Sequence, residues 1–119
     1  MAERLILTNN PRTLSSYPTA DWINGGPLEV MLQCRRKVHG CYSLLTHPLI
    51  GDINLLHNPF RSLLLRENKE EVDPISIAYI EETIERLRVL YRDPRDSNAL
   101  EDYQTIDFEL FQAVARGCS

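Results

Sequence analysis

The sequence lacks paired cysteines, long apolar runs and a recognisable leader segment. Its three cysteines are an odd number without a CxxC spacing, which fits a reducing compartment better than a disulfide framework. No apolar stretch approaches the roughly 20 residues that a membrane-spanning helix requires. The first residues lead directly into a strand-like stretch and do not resemble a signal peptide. These absences predict a cytoplasmic protein that does not associate with a membrane.

An excess of positive charge is also missing. The chain has 13 lysine and arginine residues against 17 aspartate and glutamate residues, a formal net charge of −4. Nucleic acids and anionic membranes both select proteins with a cationic surface. The basic run at residues 35–37 falls in the last turns of a predicted helix, where it complements the helix dipole. We therefore expect neither nucleic acid nor a membrane as a partner.

Motifs for catalysis, cofactors and metals are absent as well. There is no GxSxG, Walker or GxGxxG fingerprint. Five potential metal ligands lie fairly close together in the chain, but their spacings do not match the paired short spacings of a zinc site. These five are Cys34, His39, Cys41, His47 and His57. The sequence therefore predicts no metal and no cofactor.

What is present is an ordinary globular composition. The chain has 119 residues, of which 43% are hydrophobic and 25% are charged, enough to form a core without disulfides or metals. No repeat, low-complexity segment or long linker divides it. We predict a single domain that covers residues 1–119.

Short apolar runs that end in Asn, Gly or Pro predict the strands. Helix starts are indicated where proline takes the first helical position, as at Pro27 and after Asp73, and Gly40 stops the first helix. The strands are predicted at residues 4–8, 21–23, 41–46 and 61–65. The helices are predicted at residues 27–39, 74–92 and 98–116, and the last is either continuous or broken near residues 104–105.

The order of these elements indicates an α/β protein. We predict a single-domain three-layer sandwich with a small, mostly parallel sheet of three or four strands and about three helices. The strand–helix–strand unit over residues 21–46 is expected to be parallel and right-handed. The sequence leaves the direction of the last strand open.

Two predicted strands end in similar polar segments, at residues 8–11 and 46–48. Ligands of parallel α/β sheets bind beyond the carboxyl ends of the strands, and hydroxyl and amide groups both donate and accept hydrogen bonds. An arginine in the same cluster would bind a carboxylate bidentately. Asn before Pro is also ordinary turn chemistry, so this alternative stays open. The predicted ligand-binding residues are Thr8, Asn9, Asn10, Thr46, His47, Asn58 and Arg61.

Two further features of the loops have a chemical interpretation. His47 is the candidate for a general acid or base, because an unperturbed imidazole titrates near neutrality. No Ser, Cys or acidic residue stands beside it at a known catalytic spacing. The turn at residues 24–27 precedes a helix, where backbone N–H groups can hold an anion, although two glycines before a helix are also common as a plain turn.

Several of these segments together resemble the GrdX-like family. The most specific is Leu-Leu-Thr-His-Pro-Leu at residues 44–49, which is joined by residues 8–11, 58–62 and, more loosely, 103–107. Members of that family are small proteins encoded with the glycine, sarcosine and betaine reductase systems of anaerobic bacteria. The resemblance implies an accessory role and supplies no catalytic residues to carry over.

The sequence leaves three functions open. The first is a non-enzymatic accessory protein that binds a small polar or anionic metabolite, or a protein of the reductase system. The second is a small enzyme in which His47 acts with Asn10 and Arg61. The third is a homodimeric interaction module, which would need an exposed apolar patch such as one around Phe108 and Phe111.

Overall fold

A computed structural model describes residues 3–46, 57–68, 71–94 and 98–117. These residues form a sheet of four strands with four helices. The strands are β1 (Arg4–Thr8), β2 (Asp21–Trp22), β3 (Tyr42–Leu44) and β4 (Ser62–Glu67). The helices are α1 (Pro11–Ser16), α2 (Pro27–His39), α3 (Pro74–Leu90) and α4 (Asn98–Gly117). No helix in the described ranges is long and apolar enough to cross a membrane.

Local capping chemistry explains the helix boundaries. Asp73 caps α3 by accepting a hydrogen bond from the Ile75 N–H at 3.0 Å, and proline follows it at the first helical position. The Gly40 N–H donates to the Arg36 carbonyl at 3.0 Å and ends α2. The three predicted helices are therefore confirmed, and α4 is continuous through residues 104–105.

Helix α1 is an element that the sequence patterns did not predict. Asn10 accepts a hydrogen bond from the Arg12 N–H at 3.0 Å and so caps this helix. Pro11 takes the first helical position. Six residues with one buried side chain, Thr13, give no apolar period, so the segment has the sequence pattern of a turn.

The sheet is mixed, with the strand order β2-β1-β4-β3. β1 and β2 are parallel, whereas β4 is antiparallel to both of its neighbours, β1 and β3. The prediction of a mostly parallel sheet is therefore wrong. β4 lies between β3 and β1 and runs antiparallel to both, so β1 and β2 form the parallel pair. β1, β2 and β3 nevertheless point the same way, so their carboxyl ends and the amino end of β4 lie at one edge.

The two faces of the sheet differ in chemistry. Side chains alternate along a strand, so Leu63 and Leu65 share one face and Ser62 lies on the other. The apolar face packs on α2 and α3. The core between this face and the two helices consists of Leu7, Val30, Met31, Cys34, Val38, Leu44, Leu63, Leu65, Tyr79, Ile80, Ile84 and Leu87. On the opposite face Ser62 contacts Thr13 of α1 and Asp107 of α4.

Candidate functional site

The candidate site is the sheet edge at which β1 ends and β4 begins. Thr8 pairs with Ser62 in the antiparallel ladder, and the Asn9 N–H donates to the Arg61 carbonyl at 3.3 Å. Thr46 reaches the same edge from β3, where its hydroxyl accepts from the Leu64 N–H at 3.1 Å. We call the following residues the polar edge: Thr8, Asn9, Asn10, Thr46, Asn58 and Arg61.

All six residues of the polar edge are buried, at 0% to 7% exposure. They are six of the seven residues that the sequence predicts to bind a ligand. The seventh, His47, lies outside the described residues, so its role as an acid or base stays a prediction. Burial of so many polar groups is stable only when they are hydrogen-bonded, and their partners therefore define what each one can do.

The Asn9 carboxamide connects three segments of the chain. Its Nδ2 donates to the Gly25 carbonyl at 3.0 Å and to the Pro59 carbonyl at 2.9 Å. Its Oδ1 accepts from the Arg61 N–H at 2.8 Å. Both amide hydrogens are used within the protein, so Asn9 holds the loops around the edge in place.

Asn10 has a similar role on the other side of the edge. Besides capping α1, its Nδ2 donates to the Gln104 carbonyl at 3.0 Å and to the Asp107 Oδ2 at 2.9 Å. Asn58 also joins the edge to α4, because its Nδ2 donates to the Tyr103 carbonyl at 2.9 Å. The three asparagines thus fix the positions of the loops and of α4.

A buried carboxylate lies next to the polar edge. Asp107 Oδ2 accepts from the Ser62 hydroxyl at 2.6 Å, and its Oδ1 accepts from the Ser62 N–H at 3.1 Å. The Ser62 Oγ also lies 2.8 Å from the Thr8 hydroxyl and 2.7 Å from that of Thr13. A hydroxyl has one hydrogen to donate, and Ser62 donates it to Asp107, so both threonine hydroxyls donate to Ser62.

Ser62, Thr13 and Asp107 were not among the residues predicted to bind a ligand. The available signal was an acidic residue beside Phe108 on the face of α4 that is otherwise apolar. Burial raises the pKa of Asp107 above its usual range, while the hydrogen bonds from Ser62 and Asn10 and the charge of Arg61 act in the opposite direction. We call Asp107, Ser62, Thr8, Thr13 and Asn10 the carboxylate network.

Arg61 places a cation within the edge. It is 7% exposed and directly precedes Ser62, the first residue of β4. Burial lowers its pKa, while nearby Asp107, Tyr79 and Tyr91 favour the charged form. A guanidinium stays protonated in proteins, so the edge contains a buried positive charge near two tyrosines.

The two tyrosines near Arg61 keep their protons at neutral pH. Burial raises the pKa of Tyr79 to about 12. Burial also raises the pKa of Tyr91, whose hydroxyl donates to the Asp93 Oδ1 at 2.6 Å. Both hydroxyls are thus neutral groups at neutral pH, and neither can act as a base.

The diglycine turn before α2 has a different geometry from that of an open anion site. The Gly26 N–H donates to the Glu29 Oε2 at 2.9 Å, so a side chain of the same helix takes this position. Gly25 has a φ of 148°, and a Cβ added there would lie 2.7 Å from the Glu29 Cγ. Glycine is therefore favoured at residue 25, where the backbone passes close to the Glu29 side chain.

The cysteines and histidines form no metal site in the part of the chain that the structure describes, where no group of three His, Cys, Asp or Glu residues is close enough to hold an ion. Cys34 is buried in the core, and burial raises the pKa of its thiol to about 12. The Cys34 thiol therefore stays protonated at neutral pH and serves as an apolar packing group.

Comparison with known proteins gives one match. The sequence model of the GrdX-like protein family matches residues 5–116. Searches of curated proteins and of solved structures found no match. The match covers the polar edge, the carboxylate network and nearly all of the fold, and it confirms the resemblance seen in the sequence. The chain belongs to the GrdX-like family.

Proposed function

We propose that this protein is a non-catalytic binding protein whose ligand is a small polar metabolite with a carboxylate, held at the polar edge by Arg61. The accessory role that the GrdX-like family implies in reductive amino-acid metabolism is consistent with such a ligand. The observation that carries the proposal is the position of Arg61, a buried guanidinium at the edge where three strands that point the same way end.

The hydrogen bonds of the polar edge support a structural role for the asparagines and a ligand-binding role for Arg61. Asn9, Asn10 and Asn58 donate their side-chain N–H groups to carbonyls and a carboxylate of the protein itself. They provide a fixed frame, which lowers the entropic cost of binding a small molecule. Arg61 has a different chemistry from the asparagines, since a guanidinium is charged and has five N–H donors in a planar fork that matches a carboxylate.

Burial favours a small ligand over a large one. A guanidinium removed from water interacts more strongly with an anion than an exposed one does. Because only 7% of Arg61 is exposed, a ligand that contacts it has to be compact, as an amino acid is. The two neutral tyrosines near Arg61 supply polar groups without adding negative charge that would repel such a ligand.

Calorimetric titration of the full chain tests this proposal. The probes are glycine, sarcosine, betaine and acetate, with ethanolamine as a control that has no carboxylate. We expect saturable binding of at least one carboxylate probe and none of ethanolamine. Arg61→Lys keeps the charge but loses the bidentate geometry, so it should weaken binding at least about tenfold.

Arg66→Lys is the matched control, because Arg66 lies on β4, which begins directly after Arg61, and is exposed. It should bind the probes as the natural protein does. Circular dichroism of each variant verifies that it folds. Binding that is unchanged in a folded Arg61→Lys variant, or the absence of binding of every probe to the natural protein, would contradict the proposal.

A further inference from the structure

Helix α4 has a second apolar stripe in addition to the one that packs on the domain. Phe108 and Phe111 are buried at 8% and 2% exposure, with the Phe108 ring below Arg12 and the Phe111 ring edge-on to Tyr17. Ile106 and Leu110, on the opposite side of the same helix, are each 43% exposed. The apolar patch expected around the two phenylalanines is thus buried, and the exposed apolar surface of α4 lies on its other side.

This exposed stripe has the spacing of a coiled-coil seam. Its residues alternate by four and three positions along the 20-residue helix, as the a and d positions of a heptad do. Four of its members are exposed, Ile106, Leu110, Ala113 and Gly117, and two are half-buried, Ala99 and Tyr103. Such a seam fits another helix better than it fits a flat surface or a small molecule.

We propose that the seam binds the α4 helix of a second copy of this chain, in an antiparallel, two-fold symmetric pair. In the register that places Ile106 opposite Leu110 of the second copy, Tyr103 faces Ala113. The large side chain therefore lies against the small one, which is the complementarity that close packing needs. A parallel pair would place each side chain against its own copy and would bring the two Tyr103 rings together.

The charges beside the seam favour the same arrangement. Asp102, Glu109 and Arg116 are exposed and precede the seam positions 103, 110 and 117, so they lie along one flank. A two-fold axis between antiparallel helices brings equal flanks together. Asp102 of each copy then approaches Arg116 of the other, which gives two opposite-charge pairs at the ends and one Glu109 pair at the centre.

Light scattering and sedimentation of the full chain test the pairing. We expect a concentration-dependent dimer of about twice the 13.7 kDa chain mass. Leu110→Lys should give a monomer, whereas Leu90→Lys, at an equally exposed leucine of α3 (44%), should leave the dimer unchanged. A monomer at every concentration, or equal effects of the two substitutions, would overturn the proposal and leave the seam to a different partner.

Charge reversal tests the ends of the pair. Asp102→Arg alone and Arg116→Asp alone should each weaken dimerisation about tenfold, because two attractive pairs become repulsive. The double variant restores opposite charges and should recover the affinity of the natural protein. The antiparallel register would be contradicted if the single variants dimerised as the natural protein does, or if the double variant dimerised more weakly than either single variant.

Cross-linking measures the register directly. In a background of Cys41→Ser and Cys118→Ser, a Glu109→Cys variant should form a covalent dimer with a short bismaleimide, since residue 109 faces its own copy. Ala113→Cys is the matched variant. It should form no covalent dimer, because residue 113 of one copy would lie about 15 Å along the helix axis from residue 113 of the other. The opposite pattern would show a parallel pair and overturn the proposed geometry.

Discussion

The two sides of the sheet are stabilised in different ways. On one side an apolar core that includes Leu63 and Leu65 packs on α2 and α3. On the other side the carboxylate network joins α1 and α4 to the strand ends through hydrogen bonds. The core depends on the volume and shape of its side chains, whereas the network depends on the pairing of every donor with an acceptor. The consequences of substitution should therefore differ in size and in pH dependence.

The largest effect is expected in the core. Leu65 is 0% exposed, so Leu65→Ala should lower the free energy of unfolding by about 3 kcal/mol, from lost burial and the cavity left behind. Denaturant titration measures this loss. Leu90→Ala, at 44% exposure, should change the free energy of unfolding by less than about 0.5 kcal/mol. Similar losses at the two sites would show that the core is not packed as described.

A smaller but still marked loss is expected in the carboxylate network. Asn10→Ala removes the cap of α1 and the donor to Asp107, so the free energy of unfolding should fall by about 2 kcal/mol. The same titration applies, with the exposed Asn24→Ala as control. If Asn10→Ala costs no more than the control, the network does not join the helices to the sheet.

The pH dependence of stability separates the network from the core most clearly. Burial raises the folded-state pKa of Asp107, so the folded protein retains a proton that the unfolded chain has already lost. Stability should therefore fall as pH rises from the ordinary value of 3.8 through the folded-state pKa, and then level off. The slope from this one group is at most about 1.4 kcal/mol per pH unit.

Denaturant titrations at a series of pH values compare the natural protein with Asp107→Asn. The variant should lose this fall in stability, whereas Asp102→Asn, on the exposed side of the same helix, should retain it. The natural protein could instead gain stability relative to Asp107→Asn as pH rises. The hydrogen bonds from Ser62 and Asn10 would then outweigh burial, and the pKa of Asp107 would be lowered rather than raised.

The smallest effect concerns the turn that Asn9 holds. Gly25→Ala should cost about 1 kcal/mol, because the φ of 148° and the approach to Glu29 both disfavour a Cβ. Gly117→Ala is the matched control, since a Cβ there would meet no atom within 4 Å, and it should be neutral or slightly stabilising. Equal thermal unfolding midpoints for the two variants would contradict the described turn.

Local patterns predicted much of the fold. β1 was predicted at residues 4–8 and is found at Arg4–Thr8, and α2 extends as expected from Pro27 to His39. Caps and apolar periods are properties of neighbouring residues, so a single sequence contains them. β3 is shorter than predicted at both ends. It begins at Tyr42, because Cys41 has a φ of 72° and turns the chain, and it ends at Leu44, two residues before Thr46.

The polar edge could be predicted only in part. The prediction of a shared edge depended on β1 and β3, the strands before Asn9 and Thr46, running in the same direction. They do run in the same direction, although β4 lies between them. The sequence did not predict the roles of Ser62, Thr13 and Asp107, because their contacts join distant parts of the chain. Asn10 and Asp107, for example, are 97 positions apart. No local period marks such a pair, and only the packing of α4 against the sheet brings them together.

In the proposed function, the asparagines frame the polar edge and Arg61 binds the ligand. Two-dimensional NMR spectra of the full chain, titrated with glycine and with acetate, test it most directly. We predict saturable shifts at residues 9, 25 and 59–61, with no such shifts in a folded Arg61→Lys variant. Shifts confined to other residues, or the same shifts in Arg61→Lys, would contradict the assignment of the binding role to Arg61.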